Sequence, residues 1–382
     1  MSELIPMLRR LVASGPLLRE AVSEGNINTL RSLLGPAWRG LVEQRGKHSD
    51  STGMPLGFNA HFDWTYKREH PELQRLYEIA KTSQWNGTTD LDWKIDVDPE
   101  NPATPLLPHS FLPVSALPSF QRAPLKEKNE IAHSFMAWLL SQFLHGEQGA
   151  LFAAAQVTEA VPWLDAKLYG SSQVVDEGRH VEVFHTYVDK KLNKLYQIND
   201  NLYVVIDALM TDGRWDLKFL GMQIMIEGLA LGAFGFIRQA TQEPLLKQLL
   251  TYVITDEARH VHYGVLALQE YYKELSDRER RDREDWAFEV SLLLRNRFFA
   301  LELYEEKFAH EMTRKQWEKM VLDSEMMRVF RRTMFKRIIP NLKRIGLLSD
   351  RMRPRYQALD LLDYERFPAA PDLTAQQLLD ER

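Results

Sequence analysis

Asp176-Glu177-Gly178-Arg179-His180 and Asp256-Glu257-Ala258-Arg259-His260 are one five-residue phrase written twice, and no other feature of this chain constrains its fold as strongly. In each copy a Glu and a His stand three residues apart. On an α-helix that spacing is a rotation of about 300°, which leaves the two side chains on one face about 60° apart. One helix can then offer both groups to the same metal ion. Each copy also has a lone Glu 30 residues upstream, Glu147 before Glu177 and Glu227 before Glu257, so the whole pattern recurs at an offset of 80 residues. The interval suits two long antiparallel helices with a short connection and both ligand positions near mid-helix. A lone Glu-x-x-His says little, because such pairs are common on solvated helix faces. Two copies with the same Asp and Arg, each matched to a Glu in an apolar helix, predict an all-α, four-helix bundle with a buried two-metal site.

Composition narrows the metal. The 382-residue chain has no cysteine, which excludes disulfides, thiolate zinc sites and cysteine-bound iron–sulfur clusters. Oxygen and nitrogen ligands remain, and they suit iron or manganese. The formal net charge of −5 gives no reason to expect a nucleic-acid partner. Met1-Ser2-Glu3-Leu4-Ile5-Pro6 lacks the basic and apolar pattern of a secretory signal, so a cytoplasmic protein is expected. From Phe219 to Ile237 only Gln223 and Glu227 are polar. This run reads as a central bundle helix buried all round, not a membrane span, because the mid-run Glu finds its partners in the repeat.

Along the chain, residues 17–46 look helical with a break near Gly35-Pro36, and 71–84 form a helix opened by Pro71 and Glu72. The Pro-rich stretch 85–123 reads as an irregular strap over a helical body. Helices are expected at 125–160, at 162–193 with Pro162 at the start, at 214–240 and at 244–274, with a connection at 194–213. Two more amphipathic helices are expected at 277–312 and 313–345, the second disturbed at Pro340, followed by a tail. The expected organisation is thus 1–124 as N-terminal helices and strap, 125–275 as the bundle, 276–345 as added helices of the same domain, and 346–382 as the tail.

Four carboxylates and two histidines can hold two divalent ions about 3.5–4 Å apart. Glu177 and Glu257 are best placed to bridge, since each shares its helix with a terminal His. Four negative charges against two dications leave a nearly neutral site, which answers the cost of burying them. Metal-bound His usually donates its other N–H to a carboxylate. A crossed pairing is expected, with Asp176 orienting His260, Asp256 orienting His180, and Arg179 and Arg259 balancing the aspartates. His145, His185 and His262 fall off the ligand face and are expected to pack, face solvent or stand behind the ligands.

On these residues the chain resembles the ferritin-like di-iron carboxylate superfamily, with its Glu, Glu-x-x-His, Glu, Glu-x-x-His pattern, over roughly residues 125–275. The resemblance implies a ferritin-like bundle with Glu147, Glu177, His180, Glu227, Glu257 and His260 as ligands of two Fe ions or a Mn/Fe pair. It implies an oxygenase or oxidase that uses dioxygen to hydroxylate, N-oxygenate or desaturate a small or carrier-bound organic substrate. Electrons would come from a ferredoxin or reductase, a soluble reductant or the substrate, and a homodimer is the superfamily's habit. The alternatives are a radical-generating ribonucleotide reductase small subunit and a non-catalytic iron-binding or ferroxidase protein. Phe184 stands where the radical subunits usually carry Tyr, and Val253 where arylamine N-oxygenases carry a seventh ligand, an additional His. Both departures steer the expectation away from those two branches.

Overall fold

A computed structural model describes residues 26–45, 47, 53–99 and 101–380, and among them there is helix and turn but no strand. The expected helix before residue 26 and the N-terminal signal reading lie outside the described residues. Helix α1 (Ile27–Ala37) is capped by Asn26, whose Oδ1 accepts from the amides of Asn28 and Thr29. It does not break at Gly35-Pro36. Pro36 lies inside it, and the helix passes into a π turn at Trp38–Val42 that absorbs the disturbance. Helix α2 (Pro71–Thr82) starts on its proline, where a missing N–H costs nothing. The strap that follows contains only 3-10 turns and one helical turn, Pro118–Arg122.

Four long helices make the bundle: α3 (Leu125–Ala160), α4 (Leu164–Thr186), α6 (Trp215–Ala240) and α7 (Pro244–Tyr271). Pro162 precedes α4 by two residues instead of opening it. Glu243 caps α7 by accepting from the amides of Leu245 and Leu246. The connection expected at 194–213 contains a further helix, α5 (Asp200–Thr211), nearly all of it buried. Its opening Asn199-Asp200-Asn201 reads as a turn in isolation, but Asn199 is the N-cap, accepting from Asn201 N at 3.0 Å.

Beyond the bundle, α8 (Asp277–Asn296) opens on a Ser276/Glu279 capping box. The expected 277–312 helix ends early, in a 3-10 turn at Arg297–Phe299 and a left-handed Ala300 at φ 49°. The expected 313–345 helix is three pieces, Arg314–Asp323, Glu325–Phe335 and Ile338–Arg344. Ser324 restarts the chain as an N-cap, and Pro340 sits in the first turn of the last piece, where it is tolerated. The tail packs back on the body: Leu378 is buried, and Arg238 Nη1 donates to Leu379 O at 3.2 Å. Among the described residues α6 alone is long and apolar enough to cross a membrane, and 83% of its apolar window is buried inside the protein.

Candidate metal centre

Each bundle helix delivers its groups from mid-length. Glu147 projects from α3, Glu177 and His180 from α4, Glu257 and His260 from α7. Glu227 follows a π-paired stretch, Leu220–Ile226, where a uniform α-helix was expected. The extra residue taken into a π turn re-aims the side chains beyond it, and such turns concentrate at functional sites.

The six side chains converge and are at most 5% exposed. One group of potential ligand atoms joins Glu147, Glu177, His180 and Glu257, a second joins Glu177, Glu227 and His260, and within each group the atoms lie within 4.8 Å of one another. Glu177 reaches both imidazoles, with Oε2 3.5 Å from His180 Nδ1 and Oε1 3.0 Å from His260 Nδ1. So does Glu257, at 3.3 Å from His180 Nδ1 and 3.7 Å from His260 Nδ1. Glu147 Oε2 stands 3.2 Å from His180 Nδ1 alone. The two rings are 5.8 Å apart, so the carboxylates of Glu177 and Glu257 span the gap.

The electrostatics show what such a cluster lacks. Burial pushes Glu147 well above the ordinary carboxylate range, and the neighbouring Glu257 adds to it. Glu227 is raised in the same way by burial and Glu177. Burial also opposes ionisation of Glu177, but His260 and His180 outweigh it and hold this carboxyl well below its usual value. Both imidazoles are held well above theirs against the cost of burial, His180 by Asp256 and the glutamates, His260 by Glu177 first. Glu177 Oε2, Glu227 Oε2, both oxygens of Glu257 and His260 Nδ1 are buried with no hydrogen bond. Each such atom costs about 1–3 kcal/mol. Five of them in one buried cluster are poor fold stabilisers and a fitting donor set for two hard-to-borderline dications.

Behind the imidazoles lies a closed square of charges. Asp256 Oδ2 is 3.1 Å from His180 Nε2, and Asp176 Oδ2 is 3.3 Å from His260 Nε2. Arg179 Nη2 donates to Asp176 and, at 3.0 Å, to Asp256. Arg259 Nη2 donates to Asp256 at 2.5 Å and to Asp176 at 3.3 Å. Although burial opposes it, His260 and Arg259 keep Asp176 low, and His180 keeps Asp256 low.

Four further residues reach this network, none of them picked out as site residues from the sequence. Gln173 Nε2 donates to Glu177 at 3.0 Å and to Glu227 at 2.9 Å, and Gln223 donates to Gln173 at 3.3 Å. Gln173 and Gln223 each stand four residues before a site glutamate, a helical spacing that would have found them. Gln84 Nε2 donates to Asp176 at 2.9 Å, and Trp85 Nε1 to Asp256 at 2.7 Å. No local pattern marks this second pair, which lies just past the end of α2.

His145 Nε2 donates to Tyr196 O, 2.8 Å away, and His185 is exposed. Phe184 packs on Phe234, ring centroids 5.6 Å apart. Of the glycines near the site, Gly149 and Gly232 admit close packing, since a Cβ there would meet Ile206 at 2.9 Å and Thr333 O at 2.7 Å. Gly146 faces open space. It lines a crevice shared with Glu147, Glu227, Glu257, Ala230 and Arg297, with a free volume of about 10 Å³, room for roughly one water-sized molecule. A larger cavity of about 570 Å³ lies off the cluster, against Gln148, Phe152, Tyr203 and Met210, and none of the six residues lines it.

The family model described as p-aminobenzoate N-oxygenase AurF matches residues 67–346, well over half of the chain. No curated protein matches. Among solved structures, R2-like ligand-binding oxidase with aerobically reconstituted metal cofactor is 19% identical, with 74% of this chain and 96% of that one covered and a TM-score of 0.47. A single-site variant of such an oxidase with an aerobically reconstituted Mn/Fe cofactor is 19% identical, with 75% and 96% covered and a TM-score of 0.46.

Proposed function

The chain belongs to the p-aminobenzoate N-oxygenase AurF family and is an oxygen-dependent di-iron oxidoreductase acting on an organic substrate; from that premise we propose that it oxygenates the nitrogen of an aromatic amine. Membership corrects the expectation drawn from Val253. That residue is fully buried and offers no donor atom, yet one absent ligand does not outweigh a match over the whole bundle and its flanks. Six donors already supply the four carboxylates and two imidazoles that two metals require.

In this reading Glu147, Glu177, His180, Glu227, Glu257 and His260 would hold the pair, Glu177 and Glu257 being the two carboxylates that reach both imidazoles. When bound, the two irons supply the activation of dioxygen. The chain's own residues do the rest. Asp176 and Asp256 fix the imidazole tautomers by accepting from Nε2, which leaves Nδ1 free for metal. Arg179 and Arg259 keep those aspartates ionised. The crevice beside Glu147, Glu227 and Glu257 has room for only about one water-sized molecule, so bulk water is kept out. Amine, dioxygen, two electrons and two protons give hydroxylamine and water, so a reductant is required, and with no cysteine in the chain a ferredoxin or reductase is the natural donor. A cytoplasmic homodimer completes the proposal.

The observation that carries the ligand assignment is the set of orphaned carboxylate and imidazole atoms aimed at one another. The test is metal analysis of protein made under iron-replete conditions, followed by product analysis with p-aminobenzoate, dioxygen and a reductant. Two irons per chain and a hydroxylamine or more oxidised nitrogen product are expected. Fewer than two metals per chain overturns the site, and oxidation at carbon alone overturns the N-oxygenation.

A further inference from the structure

The cavity of about 570 Å³ is walled by three elements and by none of the metal-cluster residues. Phe152 and Gln156 reach it from α3, Ile206 and Met210 from α5, and Leu56 and Phe58 from the extended segment at 53–63. Pockets for organic molecules run from about 300 to 1,000 Å³, so the cavity has the size to hold one. It lies behind α3. Gln156 follows Glu147 by nine residues, a rotation of about 180°, so the two side chains leave the helix on opposite faces.

The lining sets the chemistry of an occupant. Most of it is apolar, and among the described residues no Lys or Arg lines it. Its one carboxylate, Glu159, is exposed. Burial pushes the His145 imidazole down, which leaves that ring uncharged at neutral pH. An anion finds no counter-charge here, so the occupant is neutral. One polar group stands out. Gln156 is 5% exposed, and its Oε1 is buried with no hydrogen bond. An unpaired buried acceptor is costly to the fold, and an N–H or O–H arriving in the cavity satisfies it.

The 53–63 segment gives a way in. It has no regular secondary structure, and Leu56 is 61% exposed. Among the described residues its one backbone hydrogen bond to the bundle runs from His61 N to Glu159 O at 2.9 Å. Leu56 and Phe58 can therefore move aside without breaking a helix.

We propose that this cavity is a second binding site, separate from the metal centre, for a neutral and largely apolar organic molecule that donates one hydrogen bond to Gln156. The proposal goes beyond the N-oxygenation reading and does not depend on it.

The test is anaerobic equilibrium dialysis of the iron-loaded protein with 1-naphthol and with 1-methylnaphthalene. The two are neutral, nearly equal in shape, and differ by one hydrogen-bond donor. Wild type is expected to bind one 1-naphthol per chain. Gln156→Leu keeps the side-chain volume and removes the acceptor, so it should move the affinity ratio at least about tenfold towards 1-methylnaphthalene. Ala155 lines the cavity and is half-buried. Ala155→Trp fills the space and should weaken both ligands by more than about tenfold. Both variants should keep two irons per chain, and Gln156→Leu should melt no lower than wild type, since it removes an unpaired polar group. No binding of 1-naphthol by wild type, unchanged binding in Ala155→Trp, an unchanged ratio in Gln156→Leu, or loss of iron from either variant overturns the proposal. If Ala155→Trp does not fold, the wild-type stoichiometry and the Gln156→Leu ratio decide.

Discussion

Replacing Asp176 with Asn removes one negative charge and keeps the shape of the side chain. Asp176 is fully buried and accepts from Arg179, from Gln84 at 2.9 Å, from Arg259 at 3.3 Å and from His260 at 3.3 Å. Removing one partner of a buried ion pair costs about 3–5 kcal/mol. Here both arginines keep Asp256, at 3.0 and 2.5 Å, so a cost near the bottom of that range, about 3 kcal/mol, is expected for the metal-free protein. In the loaded protein the loss takes a different form. An outer carboxylate on a metal-binding His is worth about 10–100-fold in affinity, or roughly 1.4–2.7 kcal/mol. Because Asp176 faces His260 and Asp256 faces His180, the loss should fall on the metal that Glu177, Glu227 and His260 would hold. A chelator titration with metal analysis reads this directly. The variant should release one metal at chelator levels that leave the other in place, while wild type holds both. Asp207→Asn is the control, since Asp207 is equally buried but pairs with Arg39 away from the site. It should lower stability without changing metal affinity. The crossed pairing is refuted if Asp176→Asn releases both metals together, or holds both as tightly as wild type.

Three more outcomes are expected. Glu227→Ala takes a donor from one ligand group only, so metal analysis should fall from two irons per chain towards one, the weaker site losing more than about 100-fold in affinity. Gly146→Ala should raise stability by up to about 1 kcal/mol in denaturant unfolding, because a Cβ there meets nothing within 4 Å. The same change at Gly232 should lower it by about 1–3 kcal/mol, because the clash is with the backbone of Thr333 and Met334. Lys218 is fully buried, donating to Leu209 O and Met210 O, and burial pushes it down from 10.5 to about 8. Between those values the unfolded chain holds a proton that the folded one lacks, so stability should rise with pH, by up to about 3 kcal/mol. Lys218→Met should flatten that part of the profile in unfolding measured across the same pH range.

The residues that meet at the cluster are legible in the sequence because helix geometry is local. A Glu and a His three apart share a face whatever surrounds them, and matched intervals bring two such faces together. The bundle helices are legible for the same reason: long apolar periodicity outweighs any single residue. Where local signals are ambiguous, the sequence misleads. Asn199 looks like a loop residue and is a cap, while Pro36 and Pro340 look like breaks and are accommodated. The true breaks at Ala300 and Ser324 carry no proline at all.

The sequence by itself therefore determined the helical bundle, the donor types and the repeat that pairs them, since each depends on spacing along one helix. Only the tertiary structure decided the arrival of Gln84 and Trp85 at Asp176 and Asp256 from beyond α2, and the π-paired stretch that precedes Glu227. Those depend on which segments lie side by side and on how the helices pack, and neither property belongs to any single stretch of chain.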